Sequence, residues 1–371
     1  MMDHLRLTPA EMALSYGIIS SPWCIKPFFG FVSDKFGIFD WGRRRPYISF
    51  TGLVASVVYV YMRIFIHDRL QFVVALTLVS ALICFADVCA DSIMVEMCKR
   101  ETVKGKLQSN CWMARAFGGL LGSLFGGIAY NGLGAVATFH ICASATLLMA
   151  VLVWRLPISV VVHFHDTFLR NLFRNISEQK YLAIVFLCIN MTPDCSAFYA
   201  YFLRRELLYT AIDFSWITVA SSLSLLLSTF TFNRLLLEKS PSMVVMVGIF
   251  GAAIFKSTQF LVVSKTLPYF WIVLGDSVAE SFFRQLVMMP LIVQAANVCN
   301  VGVEGTLYAL MMSISNLSGV IGEWLGAWIG AWLDVTETHF DNLMWMLLID
   351  IIGNLVVPFL VIIYVGNVGK R

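Results

Sequence analysis

Apolar residues in this chain fall in long blocks rather than in alternation or in a one-sided helical stripe, and short polar stretches separate the blocks. About 20 predominantly apolar residues suffice for a helix to cross the hydrocarbon core of a bilayer. Blocks of that length predict eleven spans, at 11–34, 47–66, 71–97, 108–131, 135–155, 181–203, 212–237, 243–263, 266–297, 304–333 and 341–365. The connections are short with one exception, the polar stretch Leu156–Lys180, which divides five spans from six. The pattern therefore predicts an all-α polytopic membrane protein, with an N-terminal helical half at 1–155, a linker at 156–180 and a C-terminal helical half at 181–371.

Composition narrows the function classes. Of 371 residues, 59% are hydrophobic and only 13% charged, against roughly 25% charged in soluble domains. A net charge of +3 leaves no polyanion-binding surface, so no nucleic acid is expected as a partner. Most of the nine cysteines lie inside apolar runs, with no CxxC pair and no Cys/His cluster, and read as small packing residues. The six histidines show no ligand spacing, so no metal is expected. Met1–Pro9 is short and polar and does not read as a secretory signal.

Orientation follows from the basic residues, because loops rich in Lys and Arg stay in the cytoplasm. One side of the predicted membrane carries 16 of them and the other 6, with Lys26, Arg115, Lys256 and Arg284 left inside spans. The C-terminus is therefore expected to be cytoplasmic and residue 1 to lie outside.

Sliding the chain on itself by 200 residues aligns Thr102–Leu107 with Val303–Leu307 and sets Gly119, Gly122 and Gly126 on Gly319, Gly322 and Gly326. Plain small-residue packing accounts for the glycines themselves. Several matches at one offset also suggest two parallel halves, the plan of major facilitator transporters. In that plan the spans 108–131 and 304–333 are helices five and eleven, so the first predicted span is helix two.

Four ordered segments carry a family resemblance. PWCIKPFFGFVSDKFG (Pro22–Gly37), with the basic loop RRRPY (Arg43–Tyr47), resembles the helix-two signature of the folate-biopterin transporter family of the major facilitator superfamily. ADVCADSIMVE (Ala86–Glu96) is similar to its helix-four motif, LQSNCW (Leu107–Trp112) to its helix-five start and TLYALMMSISNLSG (Thr306–Gly319) to its helix-eleven motif. The resemblance implies a major facilitator fold of two pseudo-symmetric halves. It also implies a secondary active transporter of folates, biopterin or related pteridines, working by alternating access, coupled to protons, monomeric, without cofactor and not an enzyme. The membrane is the plasma membrane or that of an organelle. The family carries a complete helix before the DHLRLTPAE stretch (Asp3–Glu11), so this chain is expected to hold eleven spans of twelve and, as written, to be truncated or inactive.

Ionisable side chains inside spans cost about 2.5 to 3.5 kcal/mol each to insert, which makes each one a site hypothesis. In helix two, Lys26 lies between Pro22 and Pro27, which bend the helix and open its carbonyls. Lys26 either binds a substrate carboxylate or pairs with an acid of helix four. There Asp87 and Asp91 share a face at i, i+4; their mutual repulsion suits a proton site, and a carboxylate also fits the amino-pyrimidine edge of a pterin. Neutralisation by Lys26 or Arg115 is the plainer alternative. Arg115, in helix five, either holds a glutamate tail or anchors those two acids. Glu96 points to the opposite face of helix four, at the cytoplasmic end. It resembles the superfamily partner of the basic loop, so Gly30, Asp34, Arg43, Arg44, Arg45 and Glu96 form the expected cytoplasmic gate.

In helix seven, NMTPD (Asn190–Asp194) reads as a helix broken at mid-span and lining a cavity, or as a simple proline kink. Asp194 joins the candidates there. In helix ten, Asp276, Glu280 and Arg284 form a stripe at i, i+4, i+8, either an internal salt bridge or, through Arg284, a receptor for a tail carboxylate. Glu280 is a further candidate for pterin or proton. Lys256, Glu323 and Asp350 read as helix-packing charges, and Trp324, Trp328 and Trp332 as packing or interface anchors.

Two rival functions remain. One keeps transport and changes the substrate, to another small metabolite such as S-adenosylmethionine. The other is a polytopic membrane enzyme using Asp87 and Asp91, for which no accompanying catalytic motif is visible.

Overall fold

The computed structural model describes residues 15, 18–36, 44–65, 68–98, 105–156, 180–299, 304–336 and 339–368. The expected linker falls almost wholly outside them, as does Arg43. All regular structure among the described residues is helical: α1 (Lys26–Lys35), α2 (Arg45–Phe65), α3 (Arg69–Cys98), α4 (Lys106–Leu152), α5 (Lys180–Asn190), α6 (Ser196–Arg205), α7 (Ala211–Thr231), α8 (Pro241–Lys256), α9 (Gln259–Val263), α10 (Phe270–Val298), α11 (Glu304–Trp332) and α12 (Leu343–Val368).

Prolines set most of the interruptions. Pro22 sits in the first turn of a 3-10 segment, Ser21–Ile25, that leads into α1. The expected break in the sixth span is present: α5 stops at Asn190 and α6 starts at Ser196, around Pro193. The two spans expected at 108–131 and 135–155 form the single helix α4 of 47 residues, because glycines alone at 132 and 134 do not break the hydrogen-bond ladder. Among the described residues, four stretches are long and apolar enough to cross a membrane on length and composition alone: Arg69–Cys98, Thr138–Arg155, Ile212–Leu236 and Pro241–Val263. Several of the remaining helices carry the charges or breaks discussed below.

The chain forms two compact units that do not follow chain order. The first comprises Met1–Arg100, Gly126–Glu178 and Val298–Asn316; the second comprises Glu101–Phe125, Gln179–Asn297 and Leu317–Arg371. In the first, Ile48 of α2 and Ala86, Cys89 and Ile93 of α3 pack with Val153. The Ser49 hydroxyl donates to the Ala150 carbonyl at 3.0 Å, joining α2 to the end of α4. In the second, Tyr199, Phe202 and Leu203 of α6 pack with Val273, Leu343 and Leu347. There Ser228 of α7 donates to the Phe282 carbonyl of α10 at 2.7 Å. Between helices in lipid, close packing and such hydrogen bonds replace the hydrophobic effect as the cohesive terms. The tryptophans Trp324, Trp328 and Trp332 stand exposed on α11, outside the packing of the chain.

Candidate functional site

In the first unit the charges converge on Arg44, whose side chain is fully enclosed. Its guanidinium lies 3.0 Å from Asp34, 2.7 Å from Glu96 and 3.7 Å from Glu304. A planar fork of five donors can serve several carboxylates in fixed directions at once. Asp34 also takes the start of α11: the Thr306 amide and hydroxyl each donate to it at 2.7 Å, and the Gly305 amide at 3.3 Å. Asp34 therefore caps the N-terminus of α11, where unpaired N–H groups favour an anion.

This contact needs two glycines. A Cβ on Gly30 would stand 2.7 Å from the Gly305 carbonyl oxygen, and one on Gly305 would stand 2.6 Å from the Ser92 hydroxyl. Of the residues expected at the gate, Gly30, Asp34, Arg44 and Glu96 come together. Arg45 begins α2 half-buried beside them, and Arg43 lies outside the described residues.

Elsewhere in this unit, Lys26 pairs with Asp87 at 2.8 Å, and both side chains are largely buried. Lys26 also lies 4.6 Å from the centroid of the Trp23 ring, a cation–π contact. The observed arrangement is thus the pairing alternative for Lys26. Asp91, one turn further along α3, is half-buried.

The second unit encloses a cavity of about 410 Å³, of small-molecule size. The helix break contributes Asn190, Thr192, Pro193 and Asp194 to its wall; α10 contributes Glu280, Ser281, Arg284 and Gln285. Lys256, Glu323 and Asn354 complete the polar lining, with Ile189, Ile249, Val287 and Met288 among the apolar part. Arg284 is 58% exposed and 3.9 Å from Glu280, which makes it the open cation of the wall. Glu323 is exposed rather than buried in a packing pair.

Lys256 is buried, 2.9 Å from Asp350 and 3.6 Å from Glu280. Asp350 also accepts the Cys195 amide at 3.0 Å, at the entry to α6, and the Asn354 side chain. Thr192 donates to Asn354 at 2.8 Å. These bonds hold the helix break open: the backbone groups that Pro193 releases find side-chain partners, and the segment stays irregular where it lines the cavity. Asp194, one residue before the N-cap Cys195, accepts the Ser196 amide at 2.8 Å in a local turn at the start of α6, and its own amide donates to the Gly322 carbonyl at 3.1 Å. The remaining candidate, Arg115, is exposed on α4 with its guanidinium 4.9 Å from the Trp112 ring centroid.

Sequence reasoning singled out Asp194, Glu280 and Arg284 as site candidates and read Lys256 and Asp350 as packing charges, which lie 2.9 Å apart; it named neither the approach of Lys256 to Glu280 nor Asn354. It likewise missed Glu304 and Thr306 beside Arg44. One usable signal lay in the chain: Ala86–Ser92 (ADVCADS) and Gly275–Ser281 (GDSVAES) share an acid, an alanine, a second acid and a serine at matching places. The segment around Gly105 and Gly305 carried another, since the second copy is the start of α11 that Asp34 caps.

A model of the BT1 family matches residues 1–178 and again 169–369. A folate-biopterin transporter of Synechocystis sp. is 28% identical over 381 residues, covering 98% of this chain and 77% of that protein. Probable folate-biopterin transporter 4 of Arabidopsis thaliana is 24% identical, covering 94% and 87%. Folate transporter 1 of Plasmodium falciparum is 22% identical, covering 100% and 75%. Among solved structures, the human organic anion transporter MFSD10 aligns with a TM-score of 0.67 at 14% identity, over 92% of this chain and 82% of that one. The fucose:proton symporter of E. coli aligns with a TM-score of 0.67 at 13% identity, over 95% and 90%. At these identities the structural likeness carries the fold, which is that of the major facilitator superfamily.

Proposed function

This chain belongs to the BT1 family, and from that premise we propose that it carries folates, biopterin or related pteridines across a membrane by alternating access. The protein is an integral, multi-pass membrane protein and not an enzyme. The observation that supports the substrate class is the cavity of the second unit, where the half-exposed Arg284 stands on a wall that also offers carboxylates and amides. A guanidinium there receives the carboxylates of a glutamate tail through a bidentate fork. Glu280, Glu323, Asn190 and Gln285 offer the hydrogen-bonding edges that a pterin ring requires. Asp194 contributes by fixing the end of α6.

The Arg44 cluster is the gate that closes one side, with Gly30, Asp34 and Glu96 as its other parts, and that side is cytoplasmic together with the C-terminus. Lys26 and Asp87 neutralise one another within the N-terminal half, 1–155, and Asp91 and Arg115 lie further along the same transport path. The 156–180 linker joins that half to the C-terminal one, 181–371. The unit of transport is a monomer in the bilayer, coupled to a proton.

Counterflow of labelled substrate into vesicles holding the purified protein tests the reading. Saturable exchange of both folate and biopterin is expected. Arg284→Ala should lower folate exchange by roughly ten-fold or more and biopterin exchange far less, since only folate carries the tail carboxylates. Exchange of neither substrate by the unaltered protein would refute the proposal. Competition by S-adenosylmethionine without competition by folates would replace the substrate and keep the mechanism.

A further inference from the structure

Beside the cavity lies a carboxylate that makes no ion pair among the described residues, although the Lys256 charge acts on it from a distance. Asp276 of α10 is 3% exposed and stands off the cavity wall. Its Oδ1 accepts the Thr258 hydroxyl at 3.0 Å, but its Oδ2 is buried with no hydrogen-bond partner among the described residues. The Tyr199 hydroxyl of α6 is also buried without a partner, on a residue 7% exposed, and it sits in the field of Asp276 and Glu280. Buried polar atoms are almost always satisfied, so bare oxygens in one neighbourhood point to something that arrives there.

Counting charge says what arrives. Lys256 is held by Asp350 and faces Glu280, which Arg284 also approaches. Asp194 is committed to the N-terminus of α6. Gln259 of α9 turns its amide to Glu280 at 3.4 Å and adds no charge. Lys256 and Arg284 thus face Asp276, Glu280 and Asp350, with Glu323 and Asp194 lining the same cavity, so carboxylates outnumber cations and an added positive charge is favoured. A hard metal ion needs about six oxygen ligands, and among the described residues no group of three or more His, Cys, Asp or Glu side chains is placed to hold one. A proton needs one oxygen. On Oδ2 it removes the charge, relieves the repulsion from Glu280 one turn away and turns that oxygen into a donor.

We propose that Asp276 is the site of the coupling proton. Water on the side of higher proton activity supplies the proton to Oδ2, water on the other side receives it after the substrate has moved, and no other bond is made or broken. The proposal rests on the transport reading above and adds the group that couples it.

Vesicles holding the unaltered protein, Asp276→Asn or Asp276→Glu separate coupling from carriage. Asp276→Asn is a neutral mimic of the protonated acid. It should retain counterflow of labelled folate within about two-fold and lose accumulation driven by an imposed pH gradient by at least about ten-fold, while Asp276→Glu restores accumulation in part. Accumulation by Asp276→Asn equal to that of the unaltered protein would overturn the assignment. So would loss of counterflow in both variants, which marks a structural role, or accumulation that follows a sodium gradient and ignores pH. Absence of counterflow in the unaltered protein strikes at the transport reading itself.

Discussion

Arg44 in the first unit and Lys256 in the second are both buried cations, and each lies within 4 Å of more than one carboxylate. Arg44 spreads over Asp34, Glu96 and Glu304, while the excess negative charge is met by the first N–H groups of α11. Lys256 lies close to Asp350 and Glu280, Asp350 receives the Cys195 amide of α6, and Asp276 is left with one hydroxyl. A similar imbalance is thus answered by fixed backbone dipoles in one place and left open beside a cavity in the other. Side-chain chemistry explains part of this. A rigid guanidinium fork serves several acids in one plane, whereas an ammonium is a point charge with three donors. In the proposed reading the first cluster is a lock, and the second unit holds, just off its cavity wall, an acid that can change its charge.

The largest effect should come from breaking the lock. Arg44→Ala leaves buried carboxylates without their cation, and removing one partner from a buried pair costs about 3 to 5 kcal/mol. Unfolding in detergent, followed by intrinsic tryptophan fluorescence, should show that loss. Arg44→Lys sharpens the comparison, because it restores the charge without the fork and should recover only part of the stability. Full recovery by lysine would mean that charge alone holds the cluster.

Lys256→Ala should cost about 3 kcal/mol by the same logic, with Glu280 left partly wetted by the cavity. The double change Lys256→Met with Asp350→Leu removes both charges and should be far milder in stability than either single change. Because Asp350 also holds the Cys195 amide, the double variant should still lose substrate exchange. If it kept exchange, Asp350 would not be what positions the helix break.

Gly30→Ala comes next. Its Cβ would meet the Gly305 carbonyl and the Thr306 Cα at 2.7 Å, both backbone atoms, so α11 has to move. Overpacking of this kind costs about 1 to 3 kcal/mol. It should also shift the balance of conformations, seen as faster alkylation of a single cysteine placed at Ser92 on a cysteine-free background.

Hydropathy located the helices because length and apolarity are local properties; the block at 47–66, for example, became Arg45–Phe65. The break at Pro193 was legible for the same reason, since a missing N–H is written in the residue itself. The run-through of α4 was missed because a polar glycine dipeptide looks like a loop when no neighbour is known. Partners were harder still. A pair between Lys26 and an acid of helix four was one of two alternatives open from the sequence, and the observed partner is Asp87. Lys256 and Asp350 lie far apart in sequence, and only packing joins them. The exchange of segments between the two compact units was invisible, because hydropathy reports depth in a membrane and not the identity of neighbours.

The smallest effect tests whether distance or burial makes these clusters matter. Lys265 and Glu206 lie 2.7 Å apart, as close as Arg44 and Glu96, but their side chains are 57% and 37% exposed. Water and salt screen such a pair, and holding two long side chains together costs entropy, so exposed pairs contribute about 0.2 to 1 kcal/mol. Lys265 also occupies a left-handed backbone conformation, φ 57°, so the clean change is on the acid. Glu206→Gln should lower stability by less than about 1 kcal/mol, and a cycle with Lys265→Met should give a coupling that vanishes in high salt. Arg44 and Glu96 in the same kind of cycle should keep most of their coupling in salt, because the Arg44 side chain is fully enclosed by the protein. Equal salt sensitivity in the two cycles would mean that the Arg44 cluster is hydrated, and the distinction between a fixed lock and a chargeable acid would fall with it.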